Sequence, residues 1–204
     1  MRAFAILPAA GASRRMGRPK LLLPWGQATL IERTLAAWRA SRASAVLVTV
    51  HPEAAELASL CQAAGAIVVR PAEPPADMKA SVRLALVHVE RNLAPSDDDV
   101  WLLAPADMPL LTPATIDRLI GERQTGSGNG ILAPSHGGRR GHPVLFPWPI
   151  AREVAELGDE EGIDALVRRH GVREIEVDDP GIGADIDTPE DYRRLGGESS
   201  ASGA

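Results

Sequence analysis

An α/β fold built mainly on a parallel sheet is what this sequence predicts, and three observations predict it. Short apolar runs alternate with stretches of helical periodicity through residue 125, in the order β-α-β-α-β-α-β-α. The apolar runs are aliphatic and β-branched, as buried strands are. The 204 residues, 45% of them hydrophobic, suit one domain with an ordinary core.

Taken in order, AFAIL (Ala3 to Leu7) reads as a buried strand. ATLIERTLAAWRA follows as a helix with Ile31, Leu35 and Trp38 on one face. SAVLVTV (Ser44 to Val50) is a β-branched strand, and PEAAELASLCQAAG is a helix with Pro52 at its start and Gly65 at its end. AIVV (Ala66 to Val69) is a strand, and ADMKASVRLALVHVERN is a helix with Val82, Leu86 and Val89 in step. DVWLLA (Asp99 to Ala104) is the fourth strand. TPATIDRLIGER is a helix capped by Thr112 with Pro113 at its first position.

After residue 125 the rhythm changes. GILAP and HPVLF read as short strands around a mobile Gly/Arg loop, and helical stretches follow near 149–157 and 162–170. VREIEV and IGADID come next, then a last helix, TPEDYRRL. No linker-like composition separates this half from the first. The expectation is a single domain over 1–195, whose second half completes the sheet and one wall of a cleft, with a disordered small-residue tail over 196–204.

Bulk properties remove several classes of function. The net charge is −5, with a pI of about 5.6, so a general nucleic-acid binder is not expected and any attraction for anions must be local. One cysteine, Cys61, excludes an internal disulfide and a cysteine-rich metal site, and its apolar helical context reads as core. The apolar run in MRAFAILPAAG is cut off by a cationic loop where a signal peptide would continue. No stretch approaches the ~20 apolar residues of a membrane span. A cytoplasmic protein with no membrane partner is the expectation.

Ligands of open parallel sheets bind beyond the carboxyl ends of the strands. Three features fall there: the loop after Leu7, the loop after Leu103, and the segment around Asp185 if it leaves a strand. In the first, Ala9, Ala10 and Gly11 lack bulk, so successive backbone N–H groups can close on an anion. Arg14, Arg15, Arg18 and Lys20 surround that turn with charge. Neither the P-loop nor the dinucleotide fingerprint is present, and a solvated basic loop has the same composition. Asp107, between Pro105 and Pro109, is placed as a Mg²⁺ ligand or as a turn aspartate. Asp185 and Asp187 point to one side if the backbone is extended, and Asp187 or Thr188 can cap the helix that Pro189 opens.

PAAGASRRMGRPK, PADMP, GHPVLF and DIDTPEDY, in that order, resemble the MobA-like nucleotidyltransferases, the group that includes molybdenum cofactor cytidylyltransferase and guanylyltransferase. The resemblance runs from Ala3 to Leu195. KLLLPWG and GHPVLF look most like the cytidylyltransferase branch, and Ala10-Gly11 stands where guanylyltransferases more often carry two glycines. The sequence departs from the family in lacking glycines ahead of Ser81, in Ala85-Leu86 where Gly-Leu is common, and in Pro8 and Pro105.

The resemblance implies a three-layer Rossmann-like nucleotidyltransferase fold with a mixed, mostly parallel sheet. It places a nucleoside triphosphate against Pro8, Ala9, Ala10 and Gly11, with Arg15 and Lys20 on the phosphates and Ser81 near the base. It places Mg²⁺ on Asp107 and Asp185, and makes Arg15, Lys20 and Asp107 the catalytic set. Arg139, Arg140, His142 and Asp187 are the candidates for the phosphorylated acceptor, although loop arginines and a lone histidine also occur with no ligand. The implied reaction is attack of an acceptor phosphate, that of molybdopterin cofactor, on the α-phosphorus of CTP with loss of pyrophosphate. Transient contact with a molybdoenzyme or its chaperone is the implied macromolecular partnership. Guanylyl transfer, transfer to a sugar or polyol phosphate, and a non-catalytic module binding nucleotide or pterin cofactor are the alternatives.

Overall fold

The computed structural model describes residues 1–11, 19–126 and 128–196. The chain enters the sheet at once through β1 (Ala3–Ala9), whose odd residues face one way and whose even residues face the other. A 3-10 turn, Lys20–Leu22, leads to a small hairpin of β2 (Pro24–Trp25) and β3 (Ala28–Thr29). This hairpin was not anticipated. Its signal was Gly26, whose φ of +63° opens the two-residue turn. Helix α1 (Leu30–Arg39) starts at a capping box in which Thr29 and Glu32 exchange hydrogen bonds.

Strand β4 (Ala45–Val50), helix α2 (Ala55–Ala63) and strand β5 (Ile67–Val69) follow as expected. Helix α2 starts three residues after Pro52. It closes on Gly65, whose φ is +78°, with Gly65 N donating to Gln62 O and Ala66 N to Cys61 O. Cys61 is fully buried within α2, and burial pushes its thiol up to about 12. Helix α3 (Met78–Leu93), strand β6 (Val100–Leu103) and helix α4 (Pro113–Thr125) complete the expected alternation, with Asp77 and Thr112 as N-caps.

The second half departs from expectation in two places. Strand β7 (Ile131–His136) turns through Gly137 and Gly138, both at positive φ, into β8 (Arg139–Arg140), which pairs back on it. Two adjacent glycines permit the two left-handed residues of a tight hairpin, so the arginines stand on a strand rather than in a loop. Strand β9 (Val144–Pro147), a 3-10 stretch over Trp148–Glu156, helix α5 (Asp164–His170) and strand β10 (Val172–Glu176) then bring the chain to IGADID. That segment is no strand: Pro180–Gly183 is a 3-10 turn and residues 184–187 carry no regular structure. Helix α6 (Pro189–Leu195) is capped by Thr188, not Asp187, and Gly196 ends it; the rest of the tail lies outside the described residues.

The main sheet runs β10-β7-β9-β6-β1-β4-β5, with β8 on the edge of β7. The pairings make β9 and β8 antiparallel to the rest, so the sheet is mixed and mostly parallel. One face carries α1, α2, α4 and α6 on Ala5, Leu7, Val48 and Leu102. The other carries α3, the 3-10 stretch and α5 on Phe4, Ile6, Trp101 and Phe146. This is a three-layer Rossmann-like α/β fold. Among the described residues no helix is long and apolar enough to cross a membrane.

The end of the sheet away from the cleft is fastened by Asp99. Its buried carboxylate accepts from Arg2 N at 2.6 Å, Ser96 N at 2.9 Å and the Arg2 guanidinium at 2.8 Å. Burial works against that charge, but the donors outweigh it and hold the carboxyl below its ordinary value. Its stabilisation is therefore complete above the ordinary carboxylate range and is lost as pH falls through the depressed folded value. Asp99→Asn is expected to cost about 2 kcal/mol at pH 7 and markedly less at pH 3, read from thermal melts against wild type.

Candidate active site

The order β6-β1-β4 places the reversal of strand order beside β1, and a cleft of about 770 Å³ opens there beyond the carboxyl ends. Strand β1 supplies Pro8 and Ala9, with Ala10 and Gly11 continuing the wall. Strand β1 is two residues longer than expected because Pro8 and Ala9 pair with Thr49 and Val50 of β4. Pro8 is tolerated in the strand because it turns to the β6 side, where the β1–β6 register has ended at Ile6↔Leu103 and no ladder bond is lost. Among the described residues nothing lies within 4 Å of where a Gly11 side chain would stand.

Lys20 enters from the 3-10 turn, anchored by the buried Leu21 beside it. Its ammonium donates to the Asp107 carboxylate, to Ile186 O at 2.9 Å and to Asp187 Oδ1 at 3.1 Å. Burial opposes the ammonium charge, but Asp107 and Asp187 outweigh it and hold the Lys20 pKa above its ordinary value. Asp107 sits in the loop after β6, between the buried Ala106 and Met108, and is only 4% exposed. Burial pushes its carboxyl up, Lys20 offsets part of the effect, and the nearby Asp185 charge adds to it.

Asp185 and Asp187 reach the cleft without a strand. The segment crosses the loop after β6, with Ile186 N donating to Asp107 O at 3.2 Å and the Ile186 side chain fully buried. That inward Ile186 leaves its two neighbours on the open side, the outcome expected of an extended backbone but reached by burial alternation alone.

At the other end of the cleft, Ser81 is 3% exposed and its hydroxyl donates to Asp77 O at 3.1 Å. Pro74, Pro75 and Met78 make this end apolar, with Asp77 between them. His51, at the carboxyl end of β4, lines the cleft too, and its Nδ1 accepts from Glu53 N at 3.2 Å. His51 and Asp77 were missed. His51 carries a sequence signal, because it follows the buried strand β4 just as the loops after Leu7 and Leu103 follow theirs.

The structure thus gathers Pro8, Ala9, Ala10, Gly11, Lys20, Ser81, Asp107, Asp185 and Asp187 around one cleft. Arg15 lies outside the described residues, as do Arg14 and Arg18. Arg139 and Arg140 are exposed on β8 and do not line the cleft. His142 stands behind the carboxylates: its N donates to Ile182 O at 2.8 Å and its Nδ1 is 3.4 Å from Leu103 O. Burial lowers the His142 pKa, against the pull of Asp185 and Asp107, so the ring is neutral at pH 7.

The donor set fits a divalent cation of the Mg²⁺ type. Asp107 and Asp185 are hard oxygen donors that line the same cleft, and the Asp185 charge works against the ionised form of Asp107. Among the described residues no group of three or more His, Cys, Asp or Glu side chains could hold a metal by itself. Two carboxylates with the shell completed by substrate phosphates and water is the usual arrangement for Mg²⁺.

The MobA-like NTP transferase domain matches residues 5–175 of this chain. The molybdenum cofactor cytidylyltransferase of Escherichia coli K12 is 24% identical over 187 residues, covering 92% of each chain. A 2-C-methyl-D-erythritol 4-phosphate cytidylyltransferase of Halorhodospira halophila is 33% identical over 180 residues, covering 84% of this chain and 66% of its own. Among solved structures, Rv0371c of Mycobacterium tuberculosis H37Rv in complex with manganese aligns with a TM-score of 0.77 and 30% identity, over 98% of this chain and 100% of that one.

Proposed function

The chain belongs to the MobA-like NTP transferases, and on that premise we propose that it transfers CMP from CTP to the phosphate of molybdopterin cofactor and releases pyrophosphate. One observation carries this reading: a lysine and three aspartates converge beneath small-residue backbone at the reversal point of a parallel sheet. The lysine can meet a polyphosphate, and the excess carboxylate charge calls for a divalent cation between the two.

The chain's residues act by position and charge. The backbone of Pro8 to Gly11 lets the nucleotide approach closely, and the Ser81 end receives the base. Lys20 neutralises charge on the departing pyrophosphate, and Arg15 is proposed to join it there. Asp107 and Asp185 would hold Mg²⁺. When bound, Mg²⁺ neutralises phosphate charge and aligns the phosphates for in-line attack. The acceptor phosphate is already anionic, so no strong base is needed. Arg139, Arg140 and His142 would meet only an acceptor that extends past the cleft wall.

A polyol-phosphate acceptor is the second reading, favoured by the 33% identity to the methylerythritol phosphate enzyme. Both readings use CTP. With Mg²⁺ present, CTP is expected to raise the melting temperature by several degrees more than GTP, ATP or UTP. Pyrophosphate release should then require CTP and one acceptor class. A larger shift with GTP overturns the base assignment, and tight binding with no pyrophosphate release under any acceptor supports a binding module instead.

A further inference from the structure

Three aspartates are buried among the described residues: Asp99, Asp107 and Asp179. The first fastens the far end of the sheet and the second is in the cleft. Asp179, 3% exposed, lies just after β10 and is not among the residues that line the cleft. Among the described residues no lysine or arginine pairs with it. Its charge is held by N–H and O–H donors. Oδ2 accepts from Thr112 N at 3.1 Å, Thr112 Oγ1 at 2.7 Å and Thr115 Oγ1 at 2.6 Å. Oδ1 accepts from Gly181 N at 2.9 Å.

These donors belong to two different segments. Thr112 and Thr115 form the first turn of α4, and Thr112 closes the loop that carries Asp107. Gly181 lies in the 3-10 turn that leads directly to Asp185 and Asp187. One carboxylate therefore clasps the two carboxylate-bearing segments of the cleft. The clasp is close: a Cβ on Gly181 would fall 2.3 Å from Leu110 O, so the two backbones touch. Beyond it, the segments are joined by the bond from Ile186 N to Asp107 O and by the Lys20 ammonium, which donates to Asp107 on one and to Ile186 O and Asp187 on the other.

We propose that Asp179 is a positioning residue that sets the spacing between Asp107 and Asp185, and through that spacing the affinity of the site for a divalent cation. The inference rests on the reading of Asp107 and Asp185 as metal ligands. Small divalent cations demand near-fixed ligand distances, so a shift of a few tenths of an ångström between the segments costs affinity long before it costs the fold.

Asp179→Asn tests this sharply. All the partners donate to Asp179, so whichever way the amide is turned, an N–H faces a donor. Thr115→Val removes one donor while keeping the shape. Asp99→Asn is the control: it perturbs an equally buried, donor-held carboxylate at the opposite end of the sheet. Mn²⁺ binding to the full chain with CTP present is read by electron paramagnetic resonance, alongside circular dichroism and melting temperature. Asp179→Asn is expected to weaken Mn²⁺ binding at least tenfold and Thr115→Val about threefold. Asp99→Asn should lose comparable stability with Mn²⁺ affinity within twofold of wild type. Excess Mn²⁺ should restore most of the turnover lost in Asp179→Asn, with KM for CTP little changed. If Asp179→Asn fails to fold, Thr115→Val decides. Mn²⁺ affinity within twofold of wild type in the folded variants overturns the proposal, as does an equal loss in Asp99→Asn. A wild type that binds no Mn²⁺ with CTP overturns the metal reading and this inference with it. Intact wild-type binding with unchanged variants overturns this inference alone.

Discussion

Asp107→Ala is expected to lower turnover about a thousandfold while leaving the chain folded, the scale typical of losing a group that stabilises transition-state charge. The carboxylate is buried beside Lys20, and burial already works against its ionised form. Its removal therefore takes away a charge the fold holds at some cost. Lys20 keeps Asp187 and the Ile186 carbonyl as acceptors. Asp107→Asn, which keeps the volume, should lose activity to a similar extent with a melting temperature within a few degrees of wild type. Initial rates of pyrophosphate release, with circular dichroism on the same samples, decide it. Rates near wild type in either variant remove Asp107 from the mechanism.

Lys20→Ala carries the second large effect, with turnover expected to fall about a hundredfold to a thousandfold. Lys20→Arg should not restore it, because a planar guanidinium does not replace a compact ammonium seated among two carboxylates and a carbonyl. The stability cost should be roughly 2 kcal/mol at neutral pH, since a buried carboxylate is left without its cation. The sign with pH follows from both partners. The folded Lys20 pKa is raised, so its stabilisation is present below the ordinary lysine value and is lost as pH rises through the folded value. The folded Asp107 pKa is raised as well, so its protonated form is favoured by folding, and stability falls as pH rises through it. The gap between wild type and Lys20→Ala should therefore be small in acid. It should widen as Asp107 ionises and persist until Lys20 loses its proton. A gap that is constant from pH 3 to 9 denies the pair its role in stability.

The first half of the chain was legible because local signals and tertiary demands agree there. Thr112 followed by Pro113 marks one helix start, Gly65 marks a helix end, and β1, β4 and β6 are apolar enough to be read as buried strands. Legibility fell where a few residues decide a turn. Gly26 and the pair Gly137-Gly138 each close a hairpin, and the strands they join are two residues long on at least one side, too short to show a period. In IGADID the apolar and polar residues alternate as in a strand. Among the described residues no strand pairs with it, because Asp179 draws the chain to α4 and Ile186 N bonds Asp107 O in the loop after β6.

By itself the sequence determined the α/β class, the strand ends at which chemistry would sit, and the kinds of side chain placed there. These follow from local periodicity, from caps and from residue chemistry, all of which are written within a few positions of one another. Tertiary structure alone decided which of those side chains meet. Lys20 and Asp107 are 87 positions apart, and Lys20 and Asp187 are 167 apart, yet one ammonium touches both carboxylates. Arg139 and Arg140, by contrast, carry the right charge but stand on a strand away from the cleft. Contact across such separations is set by strand order and by the clasp between the two acidic segments, and no short window of sequence encodes either.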